Sequence, residues 1–412
     1  MADIIQACVA RDDTAWIRGG QWDSSFFKTH NIESPRRWLD AVSGDKAITL
    51  TDDTGHNAWV NSKALALLKI DANFQPPSGM SIGREADGKT PNGVLYEGNN
   101  YLRAFVPDWS EKQYLAAADY AIQQSNRYGI TGIKDADASE AVVKAYHALD
   151  TQKGLNANVA TAIRISGQAH KHLFDPAEII RISQTYATPR LKTNYLKIYV
   201  DGVPTSGHTA AMLNPYADAD AHDPHALGML VVPEDELKRV VLEFDKAGYG
   251  LKMHTAADFS PYIWYPSPLI DAIRKSVGDR ADQMFPARTL LDQHATIIAG
   301  SDWPSGVKDN NPWPAIEALL TRADPHGQRA GQTLNKEQAI KLEEALRIFT
   351  QAGAKAIGRE EQTGTLEVGK SADIIVLDRN LFTVPTADIS DTEVLLTIFQ
   401  GRPVHTATPA KR

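Results

Sequence analysis

Residues 191–202 read LKTNYLKIYVDG, and within them 196–200 is a short apolar strand that closes on Asp201-Gly202. That strand stands between two stretches of helical spacing, 176–185 before it and 234–247 after it. The downstream helix ends near Gly248 and feeds a second strand, 251–254. Working outward, the same unit recurs. A helix over 111–128 ends at Gly129 and leads into a strand at 130–134 closed by Asp135, then a helix at 139–149 and a strand at 158–165. Further on come helices at 268–277 and 287–292, a strand at 296–299 ending in Gly300-Ser301-Asp302, and helices at 313–322 and 336–353. Short apolar strands alternating with helices argue for parallel βα units. Asp135, Asp201, His254 and Asp302 all end strands. In a (β/α)₈ barrel that rim is where chemistry is built, because the ends of several rigid strands converge there. A doubly wound open sheet also fits, but it calls for a Gly-rich phosphate turn, and neither GxGxxG nor GxxxxGK[ST] occurs.

The flanks differ. Residues 1–110 are mixed, with an apolar run at 46–50, a helix at 61–68 and many turn pairs. After Gly353 the stretches 364–368, 372–378, 392–400 and 403–405 are β-rich and read as a small sheet outside the barrel. The composition is that of a globular enzyme: 412 residues, 42% apolar, 23% charged, net charge −8. Disorder, collagen and coiled coil are excluded as overall descriptions. The acidic balance makes nucleic acid and anionic membrane poor partners. One cysteine, Cys8, excludes an internal disulfide framework and a Cys-based metal site, and the simple expectation is a reducing, cytoplasmic setting. No run approaches the roughly 20 apolar residues of a membrane span, and MADIIQACVARDD lacks a signal-peptide pattern.

Three residues could carry chemistry. Asp302 follows IIAGS, where Gly300 and Ser301 admit a ligand close to the backbone. A carboxylate at a strand end can bind a divalent cation and take a proton from water; it can equally cap the next helix or sit in a turn. Lys197 lies inside an apolar strand, where an unpaired ammonium costs several kcal/mol. It escapes that cost by a rim ion pair with Asp201 or by carbamylation, which needs a neutral amine that desolvation favours. His254 is a natural metal ligand or acid–base group at its strand end, or a hydrogen-bonded core histidine. His170 and His172 have HxH spacing but sit in a loop, as do His208, His222 and His225, while His294 is a structural residue between a helix and a strand. Cys8 has no activating neighbour, and no GxSxG, HExxH or SxxK appears.

The strings WIRGGQWDSSFF (16–27), TGHNAWVNSKAL (54–65), GVLYEG (93–98), NRYGITGIKDAD (126–137), LKIYVDGVPTSGHTAAML (196–213), HTAAD (254–258), SPYIWYP (260–266), AGSDWPSG (299–306) and TGTLEVGKSADIIVLDRNLF (363–382) are spread over nearly the whole chain. Together they resemble the amidohydrolase superfamily, in its YtcJ-like and N-substituted formamide deformylase-like branch. The resemblance implies an α/β fold: a TIM-like (β/α) barrel over 1–350 with an insertion at about 20–110, and a small β-sandwich at 351–412. It implies a hydrolase that cleaves the C–N bond of a small amide or formamide, using a divalent metal, zinc, and metal-activated water. Lys197, bridging and open to carbamylation, His254 and Asp302 would be metal ligands, and Asp302 the catalytic proton carrier. His56, Trp59 and Glu97 would line the substrate pocket, and a homodimer is an allowed assembly.

Two departures stand out. The first-strand HxH that supplies two ligands in the family has no counterpart before Trp16, and Asp258 runs directly into Phe259-Ser260-Pro261 where the family inserts a strand with another metal histidine. Three of six ligand positions remain, enough for one zinc with water as the fourth group. The barrel is therefore expected to be incomplete. The competing readings are a catalytically silent binding or regulatory relative, a truncated product without a stable fold, and a nucleotide-dependent α/β enzyme.

Overall fold

The computed structural model describes residues 1–11, 14–22, 26–52, 55–77, 80–165, 176–204, 208–219, 226–230, 232–254 and 260–408. The chain forms two compact units. The first comprises Met1–Trp109 with Trp303–Lys308, the second Ser110–Asp302 with Asp309–Arg412.

The first unit holds strands β1 (Trp16–Trp22), β2 (Ala47–Asp52), β3 (Ala58–Val60), β4 (Ser81–Arg84) and β5 (Pro91–Tyr96), in the sheet order β1-β2-β3-β5-β4. β1 and β2 are parallel and the other pairs antiparallel. Asn61 explains how the chain turns from β3 into the helix Ser62–Leu67. Its side-chain oxygen accepts from the Ala64 and Ile48 amides, 3.0 Å each, and its amide donates to the Lys46 carbonyl at 2.9 Å. One side chain thus caps the helix and fastens it to β2. The core centres on Trp59, fully buried between Trp22, Phe26, Phe27 and Trp38 at centroid distances of 6.2, 5.8, 4.7 and 5.2 Å. Its indole N–H donates to the Pro35 carbonyl at 2.9 Å.

The second unit holds four parallel strands in the order β6-β7-β8-β9: Gly132–Ala138, Asn158–Arg164, Leu191–Tyr199 and Gly250–His254. The helix Glu140–Lys153 links β6 to β7, Pro176–Tyr186 links β7 to β8, and Glu234–Lys246 lies between β8 and β9. Side chains alternate across a strand, and here the alternation is explicit. Ile163, Ile165, Leu196, Ile198 and Val200 pack with Val143, Ile179, Ile182, Val240 and Phe244 of those helices. The intervening Arg164, Lys197 and Tyr199 therefore stand on the face turned away from them. The parallel α/β class follows from this sheet, which is consistent with part of a (β/α) barrel; among the described residues it has four strands. A second core joins Trp264, Trp313, Ile316 and Leu319 to Ile389 and Val394. Beside it, β10 (Ile374–Leu377), β11 (Val394–Phe399) and β12 (Arg402–Thr406) form an antiparallel sheet. The Thr397 hydroxyl donates to the Asn126 carbonyl at 2.7 Å, tying β11 to the helix Glu111–Arg127.

Three expected elements differ. Residues 296–299 are irregular, not a strand. No described strand lies beyond β9 to receive them, and Ile297 packs into the second core instead; a lone extended segment has no ladder for its backbone groups. Residues 364–368 form turns, with Leu366 and Val368 exposed. The helix expected over 336–353 starts at Leu342, because the Glu344 carboxylate accepts from the Lys341 amide at 2.8 Å and caps it there. It then passes through a wider turn, Ile348–Ala352, before Gly353–Ala356.

Candidate active site at the carboxyl ends of the parallel strands

The ends of β6, β7 and β8 carry a closed polar network. The Arg164 guanidinium donates to Asp137 twice, once from Nε to Oδ1 at 2.6 Å and once from Nη2 to Oδ2. The Tyr199 hydroxyl donates to the same Oδ2 at 2.7 Å. One carboxylate thus takes three donors from two other strands, a charge-assisted arrangement that locks all three. A register shift between Asp135 and Ala138 makes it possible. Asp135, before that bulge, faces the helices by ordinary alternation from Lys134; the Tyr146 hydroxyl donates to it at 3.3 Å, and its burial pushes its carboxyl above the ordinary range. Asp137 then reaches the opposite face.

Tyr199 touches one of the three residues singled out from the sequence through its ring and pairs with a second through its backbone. Lys197 is buried, with its Nζ 4.5 Å from the centre of the Tyr199 ring. His254 is the ladder partner of Tyr199. The phenol is pushed far above its usual value first by burial, then by the charge of Asp137 and its hydrogen bond, and further by the charge of Asp302. Asp302 has φ 55°, a left-handed conformation that aspartate tolerates better than most residues. It does not cap the following helix, Pro312–Thr321, whose cap is Asn311 accepting from the Trp313 amide. Asp201, also buried, accepts from the Ala211 amide at 3.1 Å.

The donor set fits a metal in its chemistry: a lysine nitrogen, or its carbamate, an imidazole and a carboxylate are three groups that could hold zinc. No group of three or more His, Cys, Asp or Glu gathers into a metal site among the described residues. His208 is not a free loop histidine: its ring stacks on Tyr216 at 4.3 Å and its Nε2 lies 3.0 Å from Asp218. His170, His172, His222 and His225 lie outside the described residues. Asp137, Arg164 and Tyr199 went unmarked in the sequence. Tyr199 was legible there, since period two puts it on the same face as Lys197. The bulge that delivers Asp137 leaves no such signal.

The first unit has its own polar centre. His56 Nδ1 lies 3.0 and 3.1 Å from the two oxygens of Glu97. The His56 and Asn57 amides donate to Asp52 Oδ1 at 3.0 Å, and the Asn57 side chain donates to Oδ2 at 2.7 Å. Burial pulls the His56 pKa down, but the bond and charge of Glu97, with the charge of Asp52, outweigh it and the net shift is upward. Asp52 also borders a cavity of about 520 Å³ in the same unit, lined by Gly20, Thr51, Gly55, Trp303, Pro304, Ser305 and Lys308. Trp59 is a packing residue in the core described above.

The family model described as "Amidohydrolase family" matches residues 1–261 and 256–405. The chain belongs to the Amidohydrolase family, and membership supports a metal-dependent hydrolase. It is similar to the putative amidohydrolase YtcJ of Bacillus subtilis (strain 168), 24% identical over 459 residues, covering 98% of this chain and 83% of that one. It is similar to the N-substituted formamide deformylase of Arthrobacter pascens, 26% identical over 441 residues, covering 94% of this chain and 78% of that one. Among solved structures it shares its fold with an uncharacterized metal-dependent hydrolase from Pyrococcus horikoshii OT3, with a TM-score of 0.66 at 19% identity, covering 93% of this chain and 81% of that one. The family match breaks at 256–261, where the sequence passes directly from HTAAD to SPYIWYP, and the YtcJ alignment is longer than the chain itself.

Proposed function

We propose that the chain hydrolyses the C–N bond of a small amide or N-substituted formamide, with Lys197, His254 and Asp302 as the residues that would hold a divalent metal, zinc. What supports this reading is membership of the Amidohydrolase family, together with the buried Lys197 on the Tyr199 ring and a ladder register that pairs the backbone of His254 with that of Tyr199. When bound, the metal supplies Lewis-acid polarisation of the substrate carbonyl and a more acidic water. Asp302 accepts a proton from the attacking water at its carboxylate and returns it to the leaving nitrogen, so that amide and water become acid and amine. Tyr199, fixed by Asp137 and Arg164, keeps the Lys197 amine in place. Its ring face favours the ammonium form, so carbamylation of Lys197 depends on CO₂ competing with that contact. His56 and Glu97 bind substrate, while Trp59, fully buried, packs the core of the first unit. The hydrolase body runs over 1–350 with an insertion at about 20–110, and the sheet within 351–412 belongs to a small β-sandwich. The substrate is a small molecule, the setting the cytoplasm, with neither nucleic acid nor membrane as partner and a homodimer as the assembly.

Metal analysis of the purified chain, with turnover measured on a panel of small amides and N-substituted formamides, tests this. The expectation is near-stoichiometric zinc, loss of activity to chelators, and a loss of about 10²–10⁴-fold in D302N. A folded chain with neither metal nor turnover overturns it. That outcome would favour a binding or regulatory relative.

A further inference from the structure

The non-helical face of the parallel sheet carries a second set of amines, below the network at the strand ends. Lys134 of β6 is the ladder partner of Ala160 on β7, and Ala162, two residues along, is the partner of Tyr195 on β8. Both alanines are fully buried and have no side chain beyond Cβ. Lys134 extends across β7 and sets its Nζ 3.8 Å from the centre of the Tyr195 ring. Tyr195 in turn lies on Gly250 of β9, where an added Cβ would fall 2.6 Å from the ring. Lys252, two residues beyond Gly250 and so on the same side of β9, is the ladder partner of Lys197.

The Glu360 carboxylate acts on the Tyr195 hydroxyl, while the two amines carry the charge on the sheet face itself. Burial first, and the charge of Lys252 second, lower the Lys134 amine to about 8. No carboxylate forms an ion pair with Lys134 or Lys252 among the described residues. Two ammonium groups on one partly desolvated face repel each other, and a counter-anion relieves both charges at once. The aromatic ring beneath Lys134 holds that amine in a fixed position, which lowers the ordering cost of binding.

We propose that Lys134 and Lys252 form a binding site for a small dianionic oxyanion, with Tyr195 as its rigid support. The shared chemistry is a compact doubly negative group, either a phosphate or a short dicarboxylate. Calorimetric titration of the full chain with inorganic phosphate, and separately with malonate, at constant ionic strength tests it and tells the two sources apart. One anion is expected to bind with a dissociation constant of about 1 mM. K134M and K252M should each weaken binding about tenfold or more, and K134R, which keeps the charge, should retain it. Circular dichroism of each variant controls for folding. The proposal is overturned if neither anion binds up to about 20 mM, if K134M and K252M bind like the wild type, or if binding vanishes in D302N while persisting in K134M.

Discussion

The hydroxyl of Tyr199 on β8 meets Oδ2 of Asp137 on β6 at 2.7 Å, spanning the intervening strand β7, whose own Arg164 holds the same carboxylate. Three strand ends are thereby fastened at a single acceptor. D137N removes its charge and leaves the Arg164 guanidinium without its partner. It should cost about 2–4 kcal/mol in chemical unfolding, against about 1–2 kcal/mol for Y199F, which removes one donor and leaves the ion pair intact. Equal costs would show that the ion pair adds nothing beyond the phenol.

The His56–Glu97 pair gives a pH signature. His56 titrates above its ordinary 6.5 when folded. A raised folded pKa means that the stabilisation is complete below the unfolded value and fades as pH rises through the folded one. The stability advantage of wild type over E97Q should therefore be largest near pH 6, about 1 kcal/mol, and shrink by pH 9. An advantage that grew toward pH 9 would contradict the assignment. Thermal unfolding of both proteins from pH 5.5 to 9 measures it.

Trp59 offers a packing test. Replacing a fully buried indole with a methyl group should cost about 3–5 kcal/mol, and W59F clearly less, since the phenyl ring keeps most of the aromatic contacts while losing the bond to Pro35. Urea midpoints of the two variants rank these terms.

Two glycines separate backbone strain from crowding. Gly88 has φ 67° with open space around a would-be Cβ, whereas at Gly93, φ 91°, that atom would fall 2.4 Å from the Val60 carbonyl oxygen. G88A should cost about 1 kcal/mol from conformation alone, and G93A about 3 kcal/mol or more, because β5 must separate from β3. Similar losses would show that the sheet yields easily there.

Much of the second unit was legible because parallel strands buried on both faces give unambiguous apolar runs, and Gly129 and Gly248 mark where helices hand over to strands. The helix 268–277 follows from such patterns, and the strand expected at 196–200 is found as the longer Leu191–Tyr199, whose polar first half hid its start. What failed depended on partners far away in sequence. IIAGSD has the composition of a strand, yet a strand exists only where a neighbour accepts its hydrogen bonds, and among the described residues β9 is the last in its sheet. In the first unit β3 is only three residues long, between Asn57 and Asn61, and β5 contains Asn92 and Gly93, so local composition hides them. At the site Lys197 stood out as a charge in an apolar run. Arg164 and Asp137 did not, since each looks like an ordinary polar strand terminus until the bulge brings them together.

Among the described residues β9 is the last strand of the parallel sheet, and with half-exposed Met253 near its end it has practical consequences at the bench. A row of unsatisfied peptide groups along a sheet margin invites another polypeptide to lie down beside it. Concentrated stocks of this protein should lose soluble material on storage sooner than dilute ones, and a charged substitution at Met253 should slow that loss.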